Sequence, residues 1–416
     1  MAITRRQVLR TTGSGLIAAA AARYLPAGSA HAQAGAKTLV FGGSIPMSGA
    51  SAETGQNVLF GYRAAIKKIN EDLGGVKIGN ETYKLDVKMF DDASDPSRAT
   101  TLIQRQVDEG INYFLGSFGS NIVLPSCAIT ERARRPMVQA GAGSDLVFTQ
   151  KRKYVFGVFP RASLQFETSA DFLKSLTPAV KRVAFIYTND AFSKFQAEGG
   201  KKALEDKGMS VADMIQLPAQ VSDVSTVLSS IRANPPDVLI CCVHDDAAIL
   251  IARQMVSTGT NVNLLYQTLG PQTEAYRQAL GNYANGVVTQ AYWSEGAAFK
   301  GSYFGTAKDF ADYYRKNFDR PLTYHMASGA ACILAYVEAM KNAGSIAPED
   351  VRDALAKLDF KCFYGHIRFT ADGDGDPKLL GPLIVQNQSG KVEVVFPEEA
   401  AAAKAVYPVP SWKDRA

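Results

Sequence analysis

Short apolar runs alternate with amphipathic stretches along most of this 416-residue chain. Leu39–Ile45 reads as a strand that ends in a small-residue loop, Pro46 to Gly49. Val58, Leu59, Tyr62, Ala65, Ile66 and Ile69 then recur at helical spacing on one face, and Gly74-Gly75 stops that helix. Tyr83–Phe90 reads as the next strand. Asp95-Pro96 caps a helix carrying Leu102, Ile103 and Val107, with proline where a missing N–H costs least. Tyr113–Leu115, Met137–Ala140, Val183–Tyr187, Val238–Val243 and Leu264–Gln267 continue the series of short strands, with helical stretches between them. Such alternation predicts a parallel sheet flanked by helices, and near-continuous apolar runs predict strands buried on both faces.

The beat restarts near Tyr154–Pro160, after two loops of small residues, and marks the expected start of a second α/β lobe. Another strand, Gly286–Trp293, leads into helices around Phe304–Lys316 and His325–Lys341. Gly365–Thr370, Pro382–Gln386 and Val392–Phe396 form a β-rich close, and the alanine-rich tail from Glu398 is expected to be helical in part. The pattern therefore predicts an α/β fold of parallel sheets flanked by helices, in two lobes, since the chain is longer than one hydrophobic core usually serves.

The first 32 residues change the picture of where the chain works. Arg5, Arg6 and Arg10 precede an apolar run from Gly13 to Ala22, and Ala30 and Ala32 frame a small-residue cleavage site before Gln33. The paired arginines resemble a twin-arginine export signal, although Val8 stands where that pattern usually has Phe. Ten apolar residues are too few to span a bilayer, so a cleaved leader over residues 1–32 is expected. The net charge of +5 includes four leader arginines, and without them it is about +1. With no basic cluster downstream, nucleic acid is not an expected partner.

Candidate chemistry is sparse. His244, His325 and His366 are widely spaced and lack metal-ligand patterns, and no nucleophile elbow or P-loop occurs. No cofactor, metal or catalytic residue is expected. Asp372, Asp374 and Asp376 hint at a calcium loop, but Pro377 and Leu383 occupy the positions of its glycine and glutamate, so a turn is expected. Cys241 and Cys242 read as buried on a strand. Cys332 and Cys362 are candidates for a bridge that sequence alone does not establish. Gly116–Asn121 and Gly141–Asp145 are small-residue loops that each follow a strand and precede a helix. At the carboxyl ends of parallel strands such loops offer N–H groups and hydroxyls to a carboxylate; the plainer reading is a pair of tight βα connections.

Those loops, together with Pro46-Met47-Ser48-Gly49, Gly55, Asp91-Asp92-Ala93-Ser94-Asp95-Pro96, Pro125 and the Gly365–Thr370 stretch, resemble the type I periplasmic binding proteins of branched-chain amino acid ABC transporters. The resemblance covers the whole chain after the leader. It implies the type I periplasmic binding protein fold, α/β with two doubly wound parallel-sheet lobes joined by a three-segment hinge near Val158–Ala162, Val288–Tyr292 and Arg368–Asp372. Lobe one would be residues 36–158 with 292–367, lobe two 162–288 with 372–400, and 401–416 a tail. It also implies a monomeric periplasmic receptor that delivers a small organic ligand to permease subunits of an ABC transporter in the inner membrane. By position, Ser120 would give a hydroxyl to the ligand's carboxylate, and Ala142 and Ser144 would give backbone N–H groups. Thr54, smaller than the family's usual tyrosine, would face Phe192 and His244 as the pocket wall. Leu269 stands where the family places an ammonium-binding acid. Unless Asp245 substitutes for that acid, which would admit a branched-chain or other hydrophobic amino acid, an uncharged or carboxylate-only ligand is favoured, an aromatic or short aliphatic acid or an amide, because a buried ammonium without a partner costs several kcal/mol. Two further readings are an enzyme using His244 and Asp245, awkward for neighbours on a strand, and a sensor that presents its liganded form to a membrane receptor.

Overall fold

The computed structural model describes residues 37–415; the expected leader and its cleavage site lie outside the described residues. Two sheets organise the chain. The first runs in the order Val76–Ile78, Glu81–Asp91, Lys37–Ile45, Tyr113–Leu115, Met137–Gln139, Val155–Gly157, and every pairing is parallel except that of the Val76–Ile78 edge. The second contains Ser210–Leu217, Arg182–Thr188, Val238–Cys242, Leu264–Gln267 and Val288–Ala291 in parallel, then Leu383–Gln388 and Lys391–Phe396 added antiparallel. Strand order reverses at Lys37–Ile45 in one sheet and at Arg182–Thr188 in the other, so both are doubly wound.

Val155–Gly157 pairs with Met137–Gln139 and closes the first sheet, so the strand near Tyr154–Pro160 does not begin the second lobe. The second sheet begins only at Arg182–Thr188. The pattern also passed over Ser210–Leu217, an edge strand whose residues are mostly exposed or half-buried and carry no continuous apolar run.

Local chemistry explains several boundaries. Asp95 accepts the Arg98 N–H at 2.6 Å and Pro96 takes the first position of the Pro96–Asp108 helix. The Tyr324–Ala343 helix is buried along nearly its whole length and packs on Ala52–Lys67. Gly61 and Gly329 permit this approach: a Cβ on Gly61 would lie 2.0 Å from the Met326 carbonyl oxygen, and one on Gly329 2.3 Å from that of Val58. Cys332 and Cys362 are buried free thiols, and no bridge joins them. The tail forms one 3-10 turn, Glu398–Ala400, and a last turn, Trp412–Arg415. Between them the alanines follow the sheet edge, with the Ala402 N–H bonded to Val394. Val409 and Trp412 are buried in the cores on either face of the second sheet.

The aspartate-rich segment is a turn with a second task. Asp376 receives the Arg368 guanidinium at 2.7 Å. Asp372 receives Arg161 Nη1 at 2.8 Å, and buried Asp374 accepts the Arg161 N–H at 3.2 Å and the Thr370 hydroxyl. Two of the segments that pass between the sheets are thus tied together.

Candidate functional site

The loops that line the pocket leave the carboxyl ends of parallel strands, the usual place for a ligand in such sheets. From the first sheet, Tyr113–Leu115 leads through Gly116–Gly119 into the Ser120–Arg132 helix, and Met137–Gln139 leads into Ala140–Ser144. The second sheet presents Phe192 after Arg182–Thr188, His244 after Val238–Cys242 and Leu269 after Leu264–Gln267. These loops line a small pocket where the two sheets' loops meet.

Ser120, Phe192, His244 and Leu269 line that cavity. The other four expected residues lie around it. Ser144 sits just behind the wall and gives its N–H to Ser120 Oγ at 3.0 Å; its own hydroxyl caps the short Asp145–Phe148 helix. The Ala142 N–H is not free for a ligand, because the buried amide of Gln139 accepts it at 2.7 Å together with that of Gly141. Unoccupied donors are found instead at the start of the Ser120–Arg132 helix. There Gly119 is the N-cap, and among the described residues nothing accepts the N–H groups of Ser120 and Asn121. A helix N-terminus of this length carries positive potential and suits a carboxylate.

Thr54 and Asp245 join the two lobes across the cavity's rim: the Thr54 hydroxyl donates to Asp245 Oδ2 at 2.8 Å. Asp245 is the first residue of the Asp245–Thr258 helix and His244 its N-cap, so neither lies on a strand. Burial raises the Asp245 pKa, opposed by the Thr54 bond and by His244, and its Oδ1 is buried without a partner. Glu53 lies near it; burial and then Asp245 raise its pKa. His244 Nε2 lies 3.4 Å from Asp190. Burial disfavours the imidazolium, but the bond and charge of Asp190, with Asp245 and Asp246, outweigh it and raise the pKa. Asp190 itself is held well below the usual carboxylate range: burial opposes ionisation, and His244 and the Ser193 N–H overcome it.

Sequence reasoning missed ten wall residues: Ala140, Gly141 and Gly143 of the second small-residue loop, and Phe118, Phe159, Gln165, Gln290, Tyr292, Tyr324 and His325. Phe118, Phe159 and Tyr292 lie inside segments already singled out, but nothing in the spacing distinguishes a wall aromatic from a core one. Gln165 accepts from Gln196 and Gln290 and donates to the Pro160 carbonyl at 2.7 Å, which fixes the cavity's back between the lobes. His325 stacks on Tyr324 at 3.9 Å, and burial lowers its pKa to about 3, which keeps it neutral. Gly143 has to be glycine for the lobes to meet here, since a Cβ would lie 2.8 Å from the Phe192 ring. Among the described wall residues there is no Asp, Glu, Lys or Arg.

Two doubly wound lobes that enclose a small polar and aromatic cavity define a two-lobed solute-binding protein. The chain belongs to the periplasmic binding protein family, whose model matches residues 38–379. A relative, Leu/Ile/Val-binding protein homolog 8 of Brucella abortus (strain 2308), is 23% identical over 378 residues, covering 88% of this chain and 92% of its own. The fold is similar to that of the Streptococcus pneumoniae branched-chain amino acid transporter substrate-binding protein LivJ, solved in complex with isoleucine. The TM-score is 0.74 at 20% identity, covering 89% of this chain and 100% of the other. It is equally similar to a solute-binding protein of an ABC transporter from Rhodopseudomonas palustris BisB5, solved with 3,4-dihydroxybenzoic acid. There the TM-score is 0.73 at 20% identity, covering 89% of this chain and 98% of the other. Both neighbours are solute-binding proteins of transporters. Among the described residues no helix is long and apolar enough to cross a membrane.

Proposed function

We propose that this chain is the exported, periplasmic receptor of an ABC importer, and that it closes on a small carboxylate-bearing ligand, an aromatic or aliphatic organic acid. The observation that carries the choice of ligand is the uncharged wall. Leu269 lines the cavity and no acid does, while Ser120 and the open N–H groups beside it offer donors to a carboxylate. The neighbour solved with 3,4-dihydroxybenzoic acid shows that a protein of this fold takes such a ligand. The receptor works as a monomer after removal of residues 1–32, through the twin-arginine route. Lobe one, 36–158 with 292–367, and lobe two, 162–288 with 372–400, swing about the three crossovers. The ligand stabilises the closed form because it touches both lobes only there, and that form docks on the permease subunits.

One observation favours a second reading. Asp245 Oδ1 is buried and unpartnered, and a modest side-chain rotation could offer it to an ammonium, which would make the chain an amino acid receptor like the LivJ neighbour. A thermal-shift panel on residues 33–416 decides, with benzoate-type and short aliphatic acids, simple amides, leucine, isoleucine and phenylalanine. Ligand at a hundredfold over its Kd adds about 2.7 kcal/mol of stability. Shifts with acids and none with amino acids support the acid receptor. Shifts with amino acids that vanish in Asp245→Asn establish the second reading instead.

A further inference from the structure

At the rim of the pocket each lobe sets a carboxylate against the other. The Ala52–Lys67 helix follows Lys37–Ile45 of the first sheet and brings Glu53 and Thr54; the Asp245–Thr258 helix follows Val238–Cys242 of the second and brings Asp245. Thr54 is 1% exposed, and its hydroxyl donates to Asp245 Oδ2 at 2.8 Å. Asp245 Oδ1 is shut off from water and has no partner. A bare buried carboxylate oxygen is unfavourable because it carries charge, and protonation relieves it. The bond and the orphaned oxygen both depend on how the lobes meet, since the two residues are 191 positions apart.

The charges around the pair do not neutralise it. Facing Asp245 are His244 and Asp246 from its own helix, Glu53 from Ala52–Lys67, and Tyr324 from the start of Tyr324–Ala343. Glu274 and Arg277, on the Glu274–Leu280 helix, face Glu53. Of these groups only His244 favours the ionised form of Asp245, and its own hydrogen-bond partner is Asp190. Arg277 reaches Glu53 through charge alone, without an ion pair. Burial raises the pKa of both acids, and the charge of Asp245 raises that of Glu53 further. Opening the lobes parts Glu53 from Asp245 and returns both to water, where carboxylates ionise in their ordinary range. A carboxyl whose pKa rises on closing takes up a proton as the lobes close, so the closed form gains as pH falls and loses as pH rises.

We infer that closing the lobes takes up a proton at the Asp245–Glu53 pair, so that the receptor grips its ligand more tightly as pH falls. This rests on the acid reading, since an ammonium on Asp245 would answer its charge and remove the uptake. Isothermal titration of the full-length protein with benzoate and with butyrate tests it between pH 5.5 and 7.5, where both ligands stay ionised. At pH 6.5, runs in phosphate and in Bis-Tris, buffers of different ionisation enthalpy, count the protons taken up. The wild type takes up a fraction of a proton, and its Kd rises by about threefold or more across the range; one proton allows at most about tenfold per pH unit. Asp245→Asn keeps an acceptor for Thr54 and has no charge to bury, so its uptake falls and it binds at pH 7.5 about threefold or more tighter than the wild type. Glu53→Gln removes the facing charge and moves both readouts the same way, which keeps the test decisive if Asp245→Asn does not fold. Binding without uptake in the wild type overturns the inference and leaves the acid receptor standing. An uptake that survives both substitutions overturns it too, by placing the proton elsewhere. No binding of either acid removes the inference and the acid reading together.

Discussion

Arg161 ties two of the passages between the lobes, and the structure separates the strong half of that tie from the weak half. Its Nη1 meets Asp372 at 2.8 Å, but that carboxylate is 48% exposed, so water and salt reduce the pair to less than about 1 kcal/mol. Asp374 is 0% exposed. It has Arg161 Nε at 3.7 Å, the Arg161 N–H at 3.2 Å and the Thr370 hydroxyl. Arg161→Met keeps the aliphatic stem and both remaining hydrogen bonds, but leaves a buried carboxylate without its counter-charge. Breaking a fully buried pair costs about 3–5 kcal/mol; with two hydrogen bonds retained and a longer separation, about 2 kcal/mol is expected here. Thermal and urea unfolding at pH 7 read it. Asp372→Asn, which removes only the exposed partner, should cost less than about 1 kcal/mol. Asp374→Asn placed in the Arg161→Met background should recover part of the loss, since no buried charge then remains. If Arg161→Met unfolds like the wild type, or like Asp372→Asn, the turn is not held by charge at this point.

Two shorter predictions concern the ligand and acid stability. Ser120→Ala should weaken binding of the best ligand of the thermal-shift panel by about 1–3 kcal/mol, measured by isothermal titration, and unchanged affinity places the carboxylate elsewhere. Asp91 is lowered to about 2: partial burial opposes this, and bonds from the Ser48 hydroxyl and the Met47, Ala93 and Ser48 N–H groups more than offset it. A depressed carboxylate contributes stability above its unfolded value, near 4, which is lost as pH falls towards 2. Unfolding midpoints between pH 5 and 2 should therefore fall less steeply in Asp91→Asn than in the wild type; parallel acid limbs refute the assignment.

The period of the hydrophobic pattern determined the α/β alternation and the small-residue loops at strand ends, because buried parallel strands and their βα turns leave local signatures; the doubly wound strand order is a property of the sheets. Ser120, Phe192, His244 and Leu269 could be picked out because they follow strands directly, at positions the family resemblance assigns. Tertiary structure decided the rest. Val155–Gly157 carries the same local signal whichever sheet it joins, and only pairing with Met137–Gln139 assigns it to the first. The Ala142 N–H looked available until the fold brought Gln139's own side chain round to accept it. Thr54 and Asp245 are 191 residues apart, so their bond follows from how the lobes meet and from nothing near either residue. Tyr292 and His325 look in sequence like any aromatic or histidine in an apolar run. Only the fold brings both to one pocket wall, which no local pattern records.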